Sequence, residues 1–401
     1  MITFNDDGAW SWFQDERAII HRGKLIIGSA SRRGDIEATV YDLGTGALTR
    51  STLQSQQRYD DHNAPAFLAR PDGRVLAVYA KHGSENRFHY RLSSPDAETW
   101  EPQRVFVPSE TSRVTYSNLF SLRSEGNRIY NFFRGLDNSF KPSYAWSDDG
   151  GQSWNTGNVV IDVPATVRHR PYVKYASDGS STIHFLYTEG HPRDFNNSVY
   201  HVYYRGGMLY RSDGRPIRSL REGLNEPGEG TRVFQGDPDS VAWVSDLHLD
   251  RRGHPVAVYS VQKNSAGLPP GQGGDDLRYR YARWTGTRWE DHEIAHAGSR
   301  LYAGEDDYTG NMALDPDDPD SVYISTNVDP VTGVRKPHYE IYRGTAGPIW
   351  KWTPLTADSA SDNIRPIVPK SGRGQTVVLW LRGQYTSYTN YDLAVVGMVL
   401  K

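Results

Sequence analysis

The chain has 401 residues, no cysteine, and 45 Lys and Arg against 48 Asp and Glu, for a net charge of −3. Such a balance supplies no basic field for nucleic acid, and without thiols there is neither a disulfide nor a thiolate metal site. No apolar run approaches the roughly 18 residues of a membrane-spanning helix.

In chain order, a short apolar opening, ITF, precedes a first hairpin, ERAIIHRGKLIIGSA, starting at Glu16. The second hairpin is the most informative: DDHNAPAFLARPDGRVLAVYAKHG, Asp60 to Gly83, sets apolar runs Ala64 to Ala69 and Val75 to Ala80 around a Pro71-Asp72-Gly73 turn. His62 and His82 are each ten residues from Asp72. Residues symmetric about a hairpin turn face each other on one side of the sheet, so two imidazoles are expected side by side at its open end. In TYSNLFSLRSEGNRIYNFFRG, Tyr116 and Arg134 are symmetric about Glu125-Gly126. In RPYVKYASDGSSTIHFLYTEGH, Arg170 and His191 hold nearly the same places around Ser177-Asp178-Gly179. Looser copies begin at Ser245, Tyr308 and Ile364.

Seven hairpins, most of them about 50 to 65 residues apart, with outer-strand candidates between them (Ile36 to Leu43, Phe88 to Ser94), predict an all-β seven-bladed propeller of four-stranded antiparallel blades. The closing LAVVGMVL would pair with ITF and seal the ring. No window keeps a helical apolar period for three turns. Length alone suggests two or three domains, but no linker-like segment interrupts the repeat, so residues 1–401 read as one propeller domain. In such a ring the open hairpin ends converge on one channel mouth, gathering His62, His82, Tyr116, Arg134, Arg170 and His191.

The run Ser147 to Trp154, SDDGGQSW, matches the S-x-D-G-G-x-x-W turn of Asp-box (BNR) repeats, in which Asp and Ser bond turn amides and Trp caps the blade; its role is structural. Ser94 to Trp100 and Trp284 to Trp289 are weaker echoes. Arg365 and Arg382 read as anion binders or as braces of the last blade. Tyr388, in the tyrosine-rich loop Tyr385 to Tyr391, offers a ring to sugars or packs a blade edge. The acidic groups Glu305 to Asp307 and Asp315 to Asp320 lack EF-hand spacing, and no HExxH is present. No metal ligand set and no required cofactor is expected, although a structural cation such as calcium remains compatible.

Two histidines, a tyrosine and an arginine at one mouth suit β-elimination from a uronic acid. That reaction needs a base for the C5 proton, an acid for the leaving O4, and cations or donors for the carboxylate. Tyr, with a pKa near 10, acts as base only where a neighbour such as Arg134 favours the phenolate. Two other readings stand beside this one: a hydrolase (α-rhamnosidase or sialidase-like) using His or one of Asp60, Asp61 and Asp307, and a non-catalytic carbohydrate-binding propeller.

DDHNAPAFLARPDGRVLAVYAKHG, TYSNLF…NFFRG, the opening DGAWSWFQDERAII and the closing LWLRGQYTSYTNYD resemble the BNR-type seven-bladed propellers that include ulvan lyases and rhamnosyl-glucuronate lyases. The resemblance implies that His62 and Tyr116 form the acid/base pair and that Arg134 and His82 neutralise the carboxylate. It leaves open which of His62 and Tyr116 is the base. Arg170, His191, Arg365, Arg382 and Tyr388 are the expected substrate-binding set. The implied partner is an anionic glycan of rhamnose linked to glucuronate or iduronate, with no nucleic acid or membrane, met by a monomer. Zinc sites that use cysteine in some members cannot form here. With Met1 as the native start the chain reads as cytoplasmic; with a leader removed, as secreted.

Overall fold

Short β-rich runs separated by Gly, Pro, Asp and Asn turns leave the chain little choice but narrow antiparallel sheets. In the computed structural model, which describes residues 1–136, 140–162, 170–265, 268–269, 271–372 and 374–400, the regular elements are strands and three single turns of 3-10 helix. Among the described residues no helix is long and apolar enough to cross a membrane. Seven separate antiparallel sheets follow one another along the chain as propeller blades.

All seven expected hairpins form, each as the first two strands of a blade. They are Ala18–His21 with Lys24–Ala30, Ala66–Ala69 with Val75–Ala80, Thr115–Leu122 with Arg128–Arg134, and Val173–Ser177 with Thr182–Tyr187. Ser240–Leu249 with Pro255–Lys263, Met312–Asp315 with Asp318–Val328, and Asp362–Ile367 with Thr376–Ser387 complete the set. Ile2–Asn5 pairs antiparallel with Asn390–Leu400, Ile2 facing Gly397, so the two ends of the chain close the seventh blade.

Blade four departs from the four-strand expectation. Its third strand, Val199–Arg205, is shared: Val202 to Arg205 pair with Met208–Arg211, while Val199 to His201 pair with Thr231–Phe234. The intervening chain folds into an extra hairpin, Met208–Arg211 with Pro216–Ser219. The fourth-strand position is thus divided between two short strands, which a count of apolar runs does not show.

The core lies between blades. Leu76 and Val78 of blade two, for example, pack with Phe133, Ala145 and Trp154 of blade three. The Ser147–Trp154 turn behaves as a brace: Asp149 accepts from the Gln152 and Ser153 amides, both at 2.9 Å, Gly151 N–H donates to Ser147, and Trp154 is buried.

The channel is filled on the axis by the segment after the first strand. Trp12 and Phe13 pack against Tyr172, Trp243 and Tyr308 of three different blades. Arg17 donates to Ser117 O at 2.8 Å, and Lys174 Nζ donates to Gln14 O at 2.6 Å. Gln14 in turn donates to His62 O at 2.7 Å, so this plug is also a floor for the histidine pair.

Candidate active site

The second hairpin keeps its symmetric register outward from the turn, with Ala66 opposite Val78 and Ala69 opposite Val75. Extended past the strand ends, that register sets His62 opposite His82, and their rings stack with centroids 3.8 Å apart and planes 6° apart. His62 lies in the 3-10 turn Asp61–Asn63, whose preceding residue, Asp60, accepts from the His62 amide. The DDHN tetrapeptide thus places two carboxylates beneath the imidazoles.

Asp60 joins the two rings. Its Oδ1 accepts from His62 Nδ1 and its Oδ2 from His82 Nδ1, each at 2.8 Å, and Asp61 Oδ1 lies 2.8 Å from the same His62 nitrogen. Because the partner is a carboxylate, each Nδ1 carries a proton and each Nε2 is left for a ligand. Burial by itself would lower the His62 pKa, but the Asp61 and Asp60 charges override it and lift it to about 9. His82 goes the other way: burial, then the neighbouring His62 charge, lowers it despite its bond to Asp60. Burial would raise Asp60, yet the two imidazoles hold it well below the usual carboxylate range. At neutral pH the stack is one imidazolium, His62, beside one neutral imidazole, His82.

Asp61 is fixed from the seventh blade. Arg365 Nη1 lies 2.6 Å from Asp61 Oδ2 and 2.6 Å from Trp10 O, and its guanidinium covers Tyr385 at 4.2 Å. Arg365 (1% exposed) and Asp61 (0%) form a fully buried pair. Removing one partner of such a pair leaves an uncompensated charge, so Arg365→Leu should lower unfolding free energy by about 3–5 kcal/mol in equilibrium urea denaturation, and a loss below about 1 kcal/mol would contradict this account.

Tyr116 reaches the pair from blade three. A bulge between Thr115 and Asn118 puts Thr115, not Tyr116, opposite Arg134. Tyr116 adopts a left-handed backbone, φ 64°, which costs a non-glycine residue about 1–3 kcal/mol and is found at functional sites. Its ring is 5.6 Å from His62 and 6.1 Å from His82. Burial raises the phenol pKa, with Tyr172 next, and the opposing effect of Arg134 does not overcome it. Tyr116 is a neutral phenol. Arg134 lies over Tyr172 at 4.4 Å and Tyr116 at 5.5 Å, donates through Nε to Phe140 O at 2.9 Å, and keeps a buried Nη2 without a partner. Tyr388 closes the other side, edge-on to His62 at 5.2 Å and to His82 at 5.6 Å.

The remaining expected residues are more dispersed. His191 touches Tyr172 and Trp243 with ring centroids at 5.7 and 4.9 Å, on the blade-four side of the mouth. Burial, and then the Arg193 charge, lowers its pKa to about 3. Arg170 is exposed, over Phe140 at 5.8 Å. Arg365 meets the site only through Asp61, and Arg382 contacts Ser361 and Met1 on the seventh blade. Tyr172, which holds Arg134 in place, was not singled out from sequence; its only signal is its position just before the first strand of blade four.

Among the described residues, two groups combine metal-ligand types within reach of one another, Asp60 with His62 and His82, and Glu16 with Asp246 and His248. In both, the carboxylates are already matched to imidazole N–H donors, His248 lying 3.2 Å from Glu16 and 3.4 Å from Asp246. A cavity of about 870 Å³ opens at the opposite end of the channel among the hairpin turns, and none of the expected site residues lines it.

A family model described as a BNR repeat-containing family member matches residues 27–297. No curated protein matches the chain in sequence. Among solved structures, a polysaccharide lyase, the PL25 ulvan lyase bound to -[GlcA(1-4)Rha3S]-, is similar at a TM-score of 0.71 and 14% identity, over 99% of this chain and 95% of that one. A second structure of PL25 ulvan lyase gives a TM-score of 0.70 at 14% identity, covering 99% and 96%. At that identity the likeness establishes the propeller fold.

Proposed function

We propose that this chain, which belongs to the BNR repeat-containing family, is a glycan lyase that cleaves a rhamnose–uronate linkage by β-elimination. The observation that carries the reading is the stacked histidine pair held on one buried carboxylate, with a phenol and an arginine beside it. The ulvan lyases of similar fold supply the substrate class, a uronate next to rhamnose.

The charge states distribute the roles. His82 Nε2 bears a lone pair and takes the C5 proton. As C4–O4 breaks and C4=C5 forms, the departing O4 takes the proton of Tyr116 Oη. His62, already an imidazolium, and the Arg134 guanidinium stabilise the charge that moves into the carboxylate. This exchanges the two imidazole roles implied by family resemblance and makes Tyr116 the acid.

The test is a panel of rhamnose–uronate glycans followed by absorbance near the far-ultraviolet edge and by product mass. Elimination gives an unsaturated uronate without uptake of water, and hydrolysis gives products heavier by one water. Water uptake across the panel would replace the lyase with a hydrolase. No turnover together with glycan binding would leave a carbohydrate-binding propeller.

The same states fix the pH dependence. The base is active when neutral, so the rate should rise as pH climbs through the lowered His82 pKa, below 6.5. The His62 charge is lost above about 9, so the rate should fall there. A kcat/KM profile that falls between pH 6 and 8 (about one unit either side of neutral) would instead assign the required proton to His82.

A further inference from the structure

We propose that a cavity of about 320 Å³ between blades four and five, on the same mouth as the histidine pair, is a subsite for one uncharged, unsulfated sugar ring of the glycan. The volume is at the small end for ligand pockets, room for a single ring rather than a chain. Its walls come from the loop after Thr182–Tyr187, the ends of the blade-five inner hairpin, and the connection into blade six. The link to the active site is continuous: Arg134 lies over Tyr172, Tyr172 touches His191, and His191 Nε2 is 3.1 Å from Arg193 Nη2 at the cavity rim.

The cavity presents two polar side chains that are themselves nearly buried, Gln262 (5% exposed) and Asp307 (6%). Gln262 Nε2 donates to Asp307 Oδ1 at 2.9 Å. That bond leaves Asp307 Oδ2 and Gln262 Oε1 without partners among the described residues. Burial, and then the Asp306 charge, lifts the Asp307 pKa to about 8, so at neutral pH its free oxygen carries a proton. One O–H donor beside one amide acceptor matches neighbouring hydroxyls on a sugar ring.

Charge decides which ring. Arg193 is the only cationic side chain among the described lining residues, and its guanidinium is 2.9 Å from Glu305. Arg300, nearby, is 3.0 Å from Asp306. Among the described residues both cations at the cavity are already paired with carboxylates, and a sulfate or a second uronate there would face the Asp306 carboxylate.

The inference rests on the lyase reading for the identity of the glycan, but binding tests it separately. The probe is a rhamnose-containing oligosaccharide whose uronate has been reduced to the neutral sugar, titrated calorimetrically into wild type and variants, with and without sulfate on the rhamnose. Wild type should bind the unsulfated form at least tenfold more tightly than the sulfated one. Gln262→Ala and Asp307→Ala should each weaken the unsulfated form at least tenfold, with unchanged circular dichroism. Gly273→Ala is an independent variant that alters no charge, because a Cβ there would sit 2.7 Å from Gln262 Oε1 and displace the acceptor. Equal binding by wild type and all three variants, a preference for the sulfated probe, or no binding by wild type overturns the subsite. Loss of binding in the variants with no elimination from the unreduced glycan keeps the subsite and rejects the lyase. Elimination with unaltered variant binding does the reverse.

Discussion

Tyr116→Phe should lower turnover by about 10²- to 10⁴-fold while leaving the fold intact, the range expected when a positioned general acid is removed. The substitution deletes one oxygen and keeps the ring that stacks near His62 and His82, so the left-handed turn at Tyr116 need not change. The phenol is suited to the acid role because burial opposes its ionisation: it holds its proton until O4 begins to leave. His62→Ala should cost a similar factor by a different route, since the charge above the substrate carboxylate disappears. The measurement is kcat on a cleavable glycan for each variant, with circular dichroism as the fold control. A variant that keeps more than about a tenth of the wild-type rate removes that residue from the chemistry.

A glycan whose uronate has been reduced to the neutral sugar should not be cleaved at all. In elimination the carboxylate gains negative charge as the C5 proton leaves, so donors placed there act more strongly on the transition state than on bound substrate. Arg134 is the guanidinium beside Tyr116, held in place by its Nε bond to Phe140 O and by its stacking over Tyr172. A lysine cannot reproduce that planar fork. Arg134→Lys should therefore depress kcat more than it raises KM. Comparable rates on the reduced and native glycans would rule out elimination and bring forward the hydrolase, for which Asp307, its pKa raised by burial, is one candidate acid.

The parts of the molecule legible in the sequence are those set by local chemistry. Turn residues between apolar runs fix each hairpin, and symmetry about Pro71-Asp72-Gly73 is enough to bring His62 and His82 face to face, because strand pairing propagates register without help from elsewhere. The pairing of the last strand with the first followed from the same patterns. Where register breaks, counting fails. The bulge after Thr115 shifts Tyr116 off Arg134, and blade four divides its fourth-strand position between two segments, because extra residues in a strand leave the apolar pattern nearly unchanged.

The sequence by itself therefore determined the propeller, its hairpins and the face-to-face placement of His62 and His82. Only the tertiary structure decided what state those side chains are in. Whether an imidazole is charged depends on carboxylates within a few ångströms and on water excluded by other blades. Asp61 is anchored by Arg365 from the far end of the chain, Gln14 supports His62 from the axial plug, and Tyr172 carries Arg134 from the next blade. Electrostatic energy varies with distance and burial rather than with sequence separation, so two histidines that look equivalent in DDHN and AKHG acquire pKa values shifted in opposite directions only once the ring has closed.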